Sequence, residues 1–210
     1  MPYEIRDVAS GLWIWRLSYP DWRPEVGWPE MVTSTCVDSG GEVAVLDALA
    51  PPEDATEIWE RLDARPPTMA VVLKPDHVRD VDLFVRRYRA RAYGPWLFWR
   101  SNIPETELEP IEPGSKLSGG LEALYDGRGR NETPLWLPEQ KALVFADALT
   151  SQDGELRVWD TPHIDRARAA LRDLLQLPFV HVIVAHGDPV HDRAAYERAL
   201  ELPPWAGEPA

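Results

Sequence analysis

The chain has 210 residues, a formal net charge of −13 at pH 7 and 44% hydrophobic residues, with 21 Pro and 13 Gly. This length and apolar content predict one globular domain with a sizeable core and many short elements joined by turns. The negative charge disfavours nucleic acid as a partner, because phosphate backbones are bound by clustered Lys and Arg.

The N-terminal segment has no basic stretch leading into an apolar run, and no later apolar run approaches bilayer length. We therefore expect a cytoplasmic protein without membrane contact. Cys36, the only cysteine, lies among apolar and β-branched residues, so we expect a small core residue and no disulfide or redox role.

The first half of the chain alternates strands and helices. Segments 11–17 and 31–37 are rich in aromatic and β-branched residues and predict strands, joined by a loop that carries Trp22 and Trp28. Apolar runs at 43–47 and 69–73 predict buried strands. A helix is expected after each, one ending near Leu62 and one running from an Asp76 cap to about Arg89.

The second half is less regular at its start. Weak strand patterns lie at 92–93, 97–99, 121–125 and 134–137, and clearer ones at 142–145, 155–159 and 180–184. Amphipathic segments at 164–175 and 193–200 predict helices. Two successive sets of strands and helices predict two sheets packed face to face, with the helices outside.

Acidic and imidazole side chains follow several of the predicted buried strands. They are Asp47, Asp76-His77, Asp147 and His186-Gly187, and such residues are expected to meet at one edge of a layered sandwich. With their flanking residues, in this order, they resemble the motif series of the metallo-β-lactamase superfamily over about residues 11–200. The resemblance implies an α/β (α+β) fold, a four-layer αββα sandwich with two mixed sheets, in a single domain over 1–210 whose tail is 201–210.

The resemblance also implies a depleted metal centre. Active members hold one metal with two histidines of an H-x-H-x-D-H motif and a third from a later loop, and the corresponding positions here are Val72, Lys74 and Arg128, the last within segment 127–130. Valine and a guanidinium offer no lone pair to a metal. The second-site set is kept, and it comprises Asp76, His77, Asp147 and His186. It is enough for one divalent ion such as zinc, iron or manganese, but Lys74 competes with a cation there, so one metal and no metal remain alternatives.

Two functional classes stay open. The chain is either a metal-dependent hydrolase for an ester, thioester or lactone, with Asp76 and Lys74 as catalytic residues, or an inactive member that binds a small anionic or aromatic ligand or a partner protein. The substrate-binding candidates are Lys74, Arg128, Trp22 and Trp28. The two tryptophans predict an apolar lid over the site, with a homodimer contact as the competing explanation.

Segment 75–80 and the terminal His186-Gly187-Asp188-Pro189-Val190 resemble forms found in degenerate bacterial members of the superfamily. This adds Arg79 and Asp80 as candidates, although an ordinary Arg-Asp pair in the first turn of a helix explains them equally well. His163 and His191 are expected at the surface or in helix caps, His181 in the core or an interface, and Asp188 in a turn.

Overall fold

The computed structural model describes residues 3–129, 132–152 and 154–207. Its larger sheet has seven strands in the same order as in the chain. They are β1 (Tyr3–Ala9), β2 (Leu12–Ser18), β3 (Met31–Ser39), β4 (Glu42–Leu46), β5 (Met69–Val71), β6 (Arg91–Gly94) and β7 (Glu109–Pro110). The first four strands pair antiparallel, and β4 to β7 pair parallel. The parallel pairs need crossovers, which α1 (Thr56–Ala64) supplies between β4 and β5 and α2 (Val81–Tyr88) between β5 and β6, while a loop joins β6 to β7.

The second sheet has four strands in the order β13-β10-β9-β8. Its strands are β8 (Glu122–Ala123), β9 (Leu135–Leu137), β10 (Ala142–Phe145) and β13 (His181–Val184), and a separate hairpin is formed by β11 (Leu149–Gln152) and β12 (Glu155–Val158). Two helices accompany this half, α3 (Ile164–Asp173) and α4 (Arg193–Glu201). The pair β10 and β13 is parallel, while the other pairs of this sheet are antiparallel.

Three apolar clusters define the layers. The first lies between the two sheets and combines Leu46 and Val71 with Leu135 and Val144. The second lies between the larger sheet and α1 and α2, and the third lies between the smaller sheet and α3 and α4. The order of layers is therefore helix, sheet, sheet, helix, which confirms the predicted αββα sandwich with two mixed sheets.

Strand β2 shows why its sequence suits this position. Leu12 and Ile14 belong to the core between the sheets, whereas Trp15 and Leu17 belong to the core beneath the helices. Successive side chains of a strand point to opposite faces, so a strand buried on both faces is apolar almost throughout. The run Leu12-Trp13-Ile14-Trp15 satisfies this requirement.

Several predicted boundaries differ from the structure. The helix expected from an Asp76 cap begins at Val81, with Asp80 in the cap position, because the chain first turns at Lys74, where the His77 amide donates to the Lys74 carbonyl. Segment 97–99 is not a strand, and Leu97 and Trp99 are exposed. An apolar run alone does not distinguish a strand from an exposed loop.

Three strands were not predicted, namely β1, β7 and β11. The expected tail at 201–210 is partly structured, since α4 extends to Glu201 and Trp205 forms a parallel bridge with Trp159, while residues 208–210 lie outside the described part. Cys36 is buried, as expected, and burial raises the pKa of its thiol to about 12. Within the described ranges, no helix has the length and apolar character needed to cross a membrane.

Candidate metal centre

The loops that follow four strands converge at one edge of the sandwich. Asp47 follows β4, Lys74 to His77 follow β5, Asp147 follows β10 and His186 follows β13. The two members of each pair, β4 with β5 and β10 with β13, run parallel, so their carboxyl ends open to the same side. Except for Asp47, these side chains line an open cavity of about 420 Å³.

Asp47 fixes the orientation of the His77 ring. The Nδ1 atom of His77 lies 2.8 Å from Oδ2 of Asp47, and the other oxygen of Asp47 accepts a hydrogen bond of 2.7 Å from the Leu73 amide. The Nε2 atom of His77 lies 3.3 Å from Oδ1 of Asp147. A carboxylate that holds one ring nitrogen and leaves the other free is the usual support of a metal-binding histidine.

His186 follows a strand of the smaller sheet, whereas His77 follows a strand of the larger one. The Nε2 atom of His186 lies 3.3 Å from the same carboxylate oxygen, Oδ1 of Asp147. Its ring lies beside two indoles, with centroid distances of 4.8 Å to Trp28 and 5.5 Å to Trp159. Burial among these groups lowers the pKa of His186. The imidazole is therefore held neutral, which is the form that binds a metal.

The donor set fits one divalent ion once His77, whose pKa is raised by Asp147 and Asp47 against the effect of burial, has released its extra proton. His77, Asp147 and His186 each offer one ligand atom, and these atoms all lie within 4.8 Å of one another. Oδ1 of Asp147, which lies 3.3 Å from each of the two Nε2 atoms, has no hydrogen-bond partner among the described residues. Two imidazoles and a carboxylate with an open fourth position are a common ligand set for zinc and related ions.

Lys74 occupies the other side of Asp147. Its Nζ atom lies 2.5 Å from Oδ2 of Asp147 and 2.5 Å from Oδ2 of Asp76. Burial opposes ionisation of Asp147, but the positive charges of His77 and Lys74 outweigh it and hold the pKa of that carboxyl well below its usual range. Asp76, predicted as a fourth ligand, is not part of the group around His77, since Lys74 engages its carboxylate.

Solved structures with the same architecture cover almost the whole chain. A metallo-β-lactamase from Pontibacter korlensis aligns over 96% of this chain and 98% of its own, with a TM-score of 0.69 and 17% identity. FIM-1 from Pseudomonas aeruginosa, a metallo-β-lactamase solved in a mono-zinc form, aligns over 96% of both chains, with a TM-score of 0.70 and 15% identity. The chain has the metallo-β-lactamase fold. No family model matches it, and neither does any curated protein sequence.

In this metallo-β-lactamase fold, the three positions that the sequence assigned to a first metal site have separate surroundings. Lys74 lies in the cavity, but Val72 is buried in the core beneath α1 and α2. Arg128 is also fully buried, and its guanidinium binds Asp126 and Glu132. The prediction that Arg128 anchors a substrate is therefore not supported, because its charge is already paired and it does not line the cavity. Arg130, in the same predicted loop, lies outside the described residues.

Arg128 and Glu132 instead hold the segment that carries Asp147. The carboxylate of Glu132 accepts hydrogen bonds from the amides of Ala146, Asp147 and Ala148, at 3.0, 2.9 and 3.2 Å. Nη1 of Arg128 donates to the Asp147 carbonyl at 2.5 Å. A buried ion pair thus fixes the backbone on both sides of the candidate ligand.

The two predicted lid tryptophans have different positions. Trp28 lines the cavity, whereas Trp22 does not line it and donates its indole N–H to the Trp28 carbonyl at 2.7 Å. Trp22 therefore supports the loop that presents Trp28. Both belong to the predicted loop between β2 and β3.

Arg79 and Asp80 do not form the Arg-Asp pair in the first turn of a helix that was one interpretation of their sequence. Arg79 lines the cavity and donates from Nη1 to the carbonyls of Thr33, at 2.6 Å, and Asp47. Asp80 accepts a hydrogen bond of 2.7 Å from the Ala50 amide. Arg79 thus adds a cation to the cavity wall, while Asp80 anchors the loop after β4.

Five further residues line the cavity without having been predicted to do so: Tyr19, Val32, Trp99, Asn102 and Trp159. Their sequence carries no motif, and the aromatic character of Tyr19, Trp99 and Trp159 was the only available signal. Asp188, expected in a turn, pairs with Arg6 at 2.9 Å and with Arg16 at 2.8 Å.

Proposed function

We propose that the chain is a mononuclear hydrolase of the metallo-β-lactamase fold, which uses one divalent metal ion and acts on an ester, thioester or lactone. The observation that carries this proposal is the convergence of ligand atoms from His77, Asp147 and His186 within 4.8 Å beside an open cavity. The mono-zinc form of FIM-1, a structural neighbour, also supports occupancy by a single ion. A divalent ion would supply Lewis-acid chemistry there, lowering the pKa of water and polarising a carbonyl.

Protein groups around this set have the chemistry that ester cleavage needs. Oδ1 of Asp76 is buried and has no hydrogen-bond partner within the described ranges, so it can accept a proton from an attacking water. Lys74 gives two of its three N–H groups to Asp76 and Asp147. The third can donate to the carbonyl oxygen of the substrate, where negative charge develops during attack.

The aromatic wall supplies binding rather than chemistry. Tyr19, Trp28, Trp99 and Trp159 surround the polar groups of the cavity, which is the usual composition of a small-molecule site. Such walls bind the apolar part of a substrate and reduce the access of bulk water. We therefore expect substrates with an apolar or aromatic arm next to the reacting carbonyl.

Metal analysis of protein purified without chelator tests this proposal. We expect close to one equivalent of zinc, iron or manganese in the unaltered chain and in His163→Ala, which changes an exposed histidine outside the cavity. His186→Ala should lose the metal and hydrolysis together. Lys74→Met should keep the metal but hydrolyse esters about 100-fold more slowly, as expected for loss of one oxyanion donor. An unaltered chain that neither contains nor takes up a metal would contradict the proposal.

The second candidate is a non-catalytic binder of a small anionic or aromatic ligand. It is favoured by the contacts of Lys74 at 2.5 Å, through which one ammonium partly compensates the charges of Asp76 and Asp147 without a metal. It predicts no metal in any variant and ligand binding that is lost in Trp28→Ala. A change of oligomeric state in Trp28→Ala, with ligand binding intact, would instead favour the homodimer contact.

A further inference from the structure

Two histidines that the cavity does not use face each other at the edge of the smaller sheet. His181 begins β13 and His191 follows Val190, and their Nδ1 atoms lie 2.9 Å apart. Between them, Val182 and Val190 form an antiparallel bridge with two reciprocal N–H to carbonyl hydrogen bonds of 2.8 Å. Residues that flank such a hydrogen-bonded pair have their side chains close together on one face. The backbone therefore brings the two imidazoles together.

This separation suits two ligands of one metal ion. Two nitrogens that each lie about 2.0–2.1 Å from an ion are about 2.9 Å apart when they subtend a right angle, and about 3.3 Å apart in a tetrahedron. Right-angled nitrogen ligands are typical of Cu²⁺ and Ni²⁺. We propose that His181 and His191 form a second transition-metal site, which takes Cu²⁺ or Ni²⁺ and completes its coordination with water.

The protonation and accessibility of the pair agree with this role. Burial, together with the neighbouring His191, lowers the pKa of His181, so that ring is neutral near pH 7. His191 is exposed, which gives an ion access from solvent. The 2.9 Å contact between the two nitrogens requires one N–H and one lone pair. When an ion binds both Nδ1 atoms, the shared proton leaves Nδ1 and the donating ring carries a proton on Nε2 instead, so both imidazoles remain neutral and no net proton is released.

The site also closes a loop. Residues 182–190 connect the two histidines and include His186, the candidate ligand in the cavity. An ion held by His181 and His191 ties the two ends of this loop, so it stabilises the folded chain relative to the unfolded one. Bound Cu²⁺ should therefore raise the Tm of the protein and protect the His186 loop from opening.

Copper titration of tag-free, full-length protein tests the site. The chain has five histidines, so His186→Ala serves as the parent protein, with the cavity set removed. We expect one equivalent of Cu²⁺ and an electron paramagnetic resonance spectrum with hyperfine coupling to two nitrogens. His191→Gln in this parent should weaken binding at least about tenfold, because the second ligand is lost, and should leave one coupled nitrogen. His163→Gln, which changes a histidine elsewhere on the surface, is the matched control and should change neither quantity.

The spectrum of the His186→Ala parent tests the two-histidine site even if the variants made from this parent fail to fold. A single coupled nitrogen in the parent would overturn the proposal, as would copper affinity in His191→Gln within about twofold of the parent. A Tm that rises with Cu²⁺ in the parent but not in His191→Gln supports closure of the loop. An equal rise in both variants contradicts it.

Discussion

The Nζ atom of Lys74 lies 2.5 Å from Oδ2 of Asp147, and both side chains are almost fully buried. The other oxygen of the same carboxylate faces the Nε2 atoms of His77 and His186 at 3.3 Å. Asp147 therefore binds the Lys74 ammonium with one carboxylate oxygen and faces the candidate metal position with the other. The stability of the metal-free protein and its affinity for metal should depend on the same ion pair.

Removal of one partner of this pair should be costly. Lys74→Met leaves Asp147 with His77 as its remaining cationic neighbour, and Asp147→Asn leaves Lys74 with Asp76 alone, so each should lower the free energy of unfolding by about 3 kcal/mol, the lower end for breaking a buried pair. The double variant should cost less than the sum by about 1–3 kcal/mol, because the unpaired charge is then absent. Urea unfolding in the presence of chelator measures all three values.

Lys116→Met is the matched control for this cycle. Lys116 pairs with Glu122 at 3.2 Å, but its side chain is 76% exposed. Its removal should therefore cost less than about 1 kcal/mol. Additive effects of Lys74→Met and Asp147→Asn would show that the buried contact does not stabilise the site.

The stability of the metal-free protein should also depend on pH through His77. Burial disfavours the charged ring, but the charges of Asp147 and Asp47 outweigh burial and raise the pKa of His77 above 6.5. The folded chain then keeps a proton that the unfolded chain has released. The stability from His77 is thus complete below pH 6.5 and is lost as the pH rises through its raised pKa.

Chelator-treated protein should accordingly become easier to unfold as the pH rises above 6.5, and His77→Gln should remove this part of the profile. His186 acts in the opposite direction, because burial lowers its pKa, and its contribution rises with pH up to about 6.5. His163→Gln is the control. An unchanged slope above pH 6.5 in His77→Gln would show that His77 does not hold the extra proton.

The sequence was sufficient to locate the candidate ligands but not the cavity around them. His77, Asp147 and His186 each come directly after a buried apolar strand or the turn that ends it, and the carboxyl ends of parallel strands meet at one edge. Trp99 and Asn102 reach the cavity through a loop without a periodic pattern. Their positions depend on the path of that loop, which local sequence does not determine.

Arg128 shows a second limit. The sequence predicted that Arg128 binds substrate at the first-site position, yet it is buried with Asp126 and Glu132. A buried arginine needs acidic partners close in space, and both partners of Arg128 lie outside the segment 127–130 to which the motif assigned it. The sequence indicated the positive charge of Arg128 but not the acids that pair with it.

Arg128→Lys tests the supporting role of this buried pair. A lysine keeps the charge but cannot make the several directed hydrogen bonds of the guanidinium to Asp126, Glu132 and the Asp147 carbonyl, so unfolding should become easier by about 3 kcal/mol. Metal affinity should fall as well, because the backbone at Asp147 is less firmly held. Arg65→Lys, at an exposed pair with Asp38, should change stability by about 0.5 kcal/mol or less. Loss of stability with unchanged metal affinity would limit Arg128 to the fold.

Gly187, directly after His186, offers a test of how tightly the metal-ligand loop is fixed. Its φ is +105°, and an added Cβ would overlap the Ser151 carbonyl oxygen. Gly187→Ala should therefore combine backbone strain with overpacking, at a total cost of about 3–5 kcal/mol. Gly154→Ala is the matched control, because its φ is +78° but the new Cβ would meet no described atom within 4 Å. It should cost about 1–2 kcal/mol, the backbone penalty alone.

If Gly187→Ala moves His186 away from Asp147, bound metal should be lost at temperatures where the protein remains folded by circular dichroism. Equal costs in stability for the two substitutions would mean that the loop relaxes away from Ser151. Full metal content in Gly187→Ala would mean that the position of His186 does not depend on this contact.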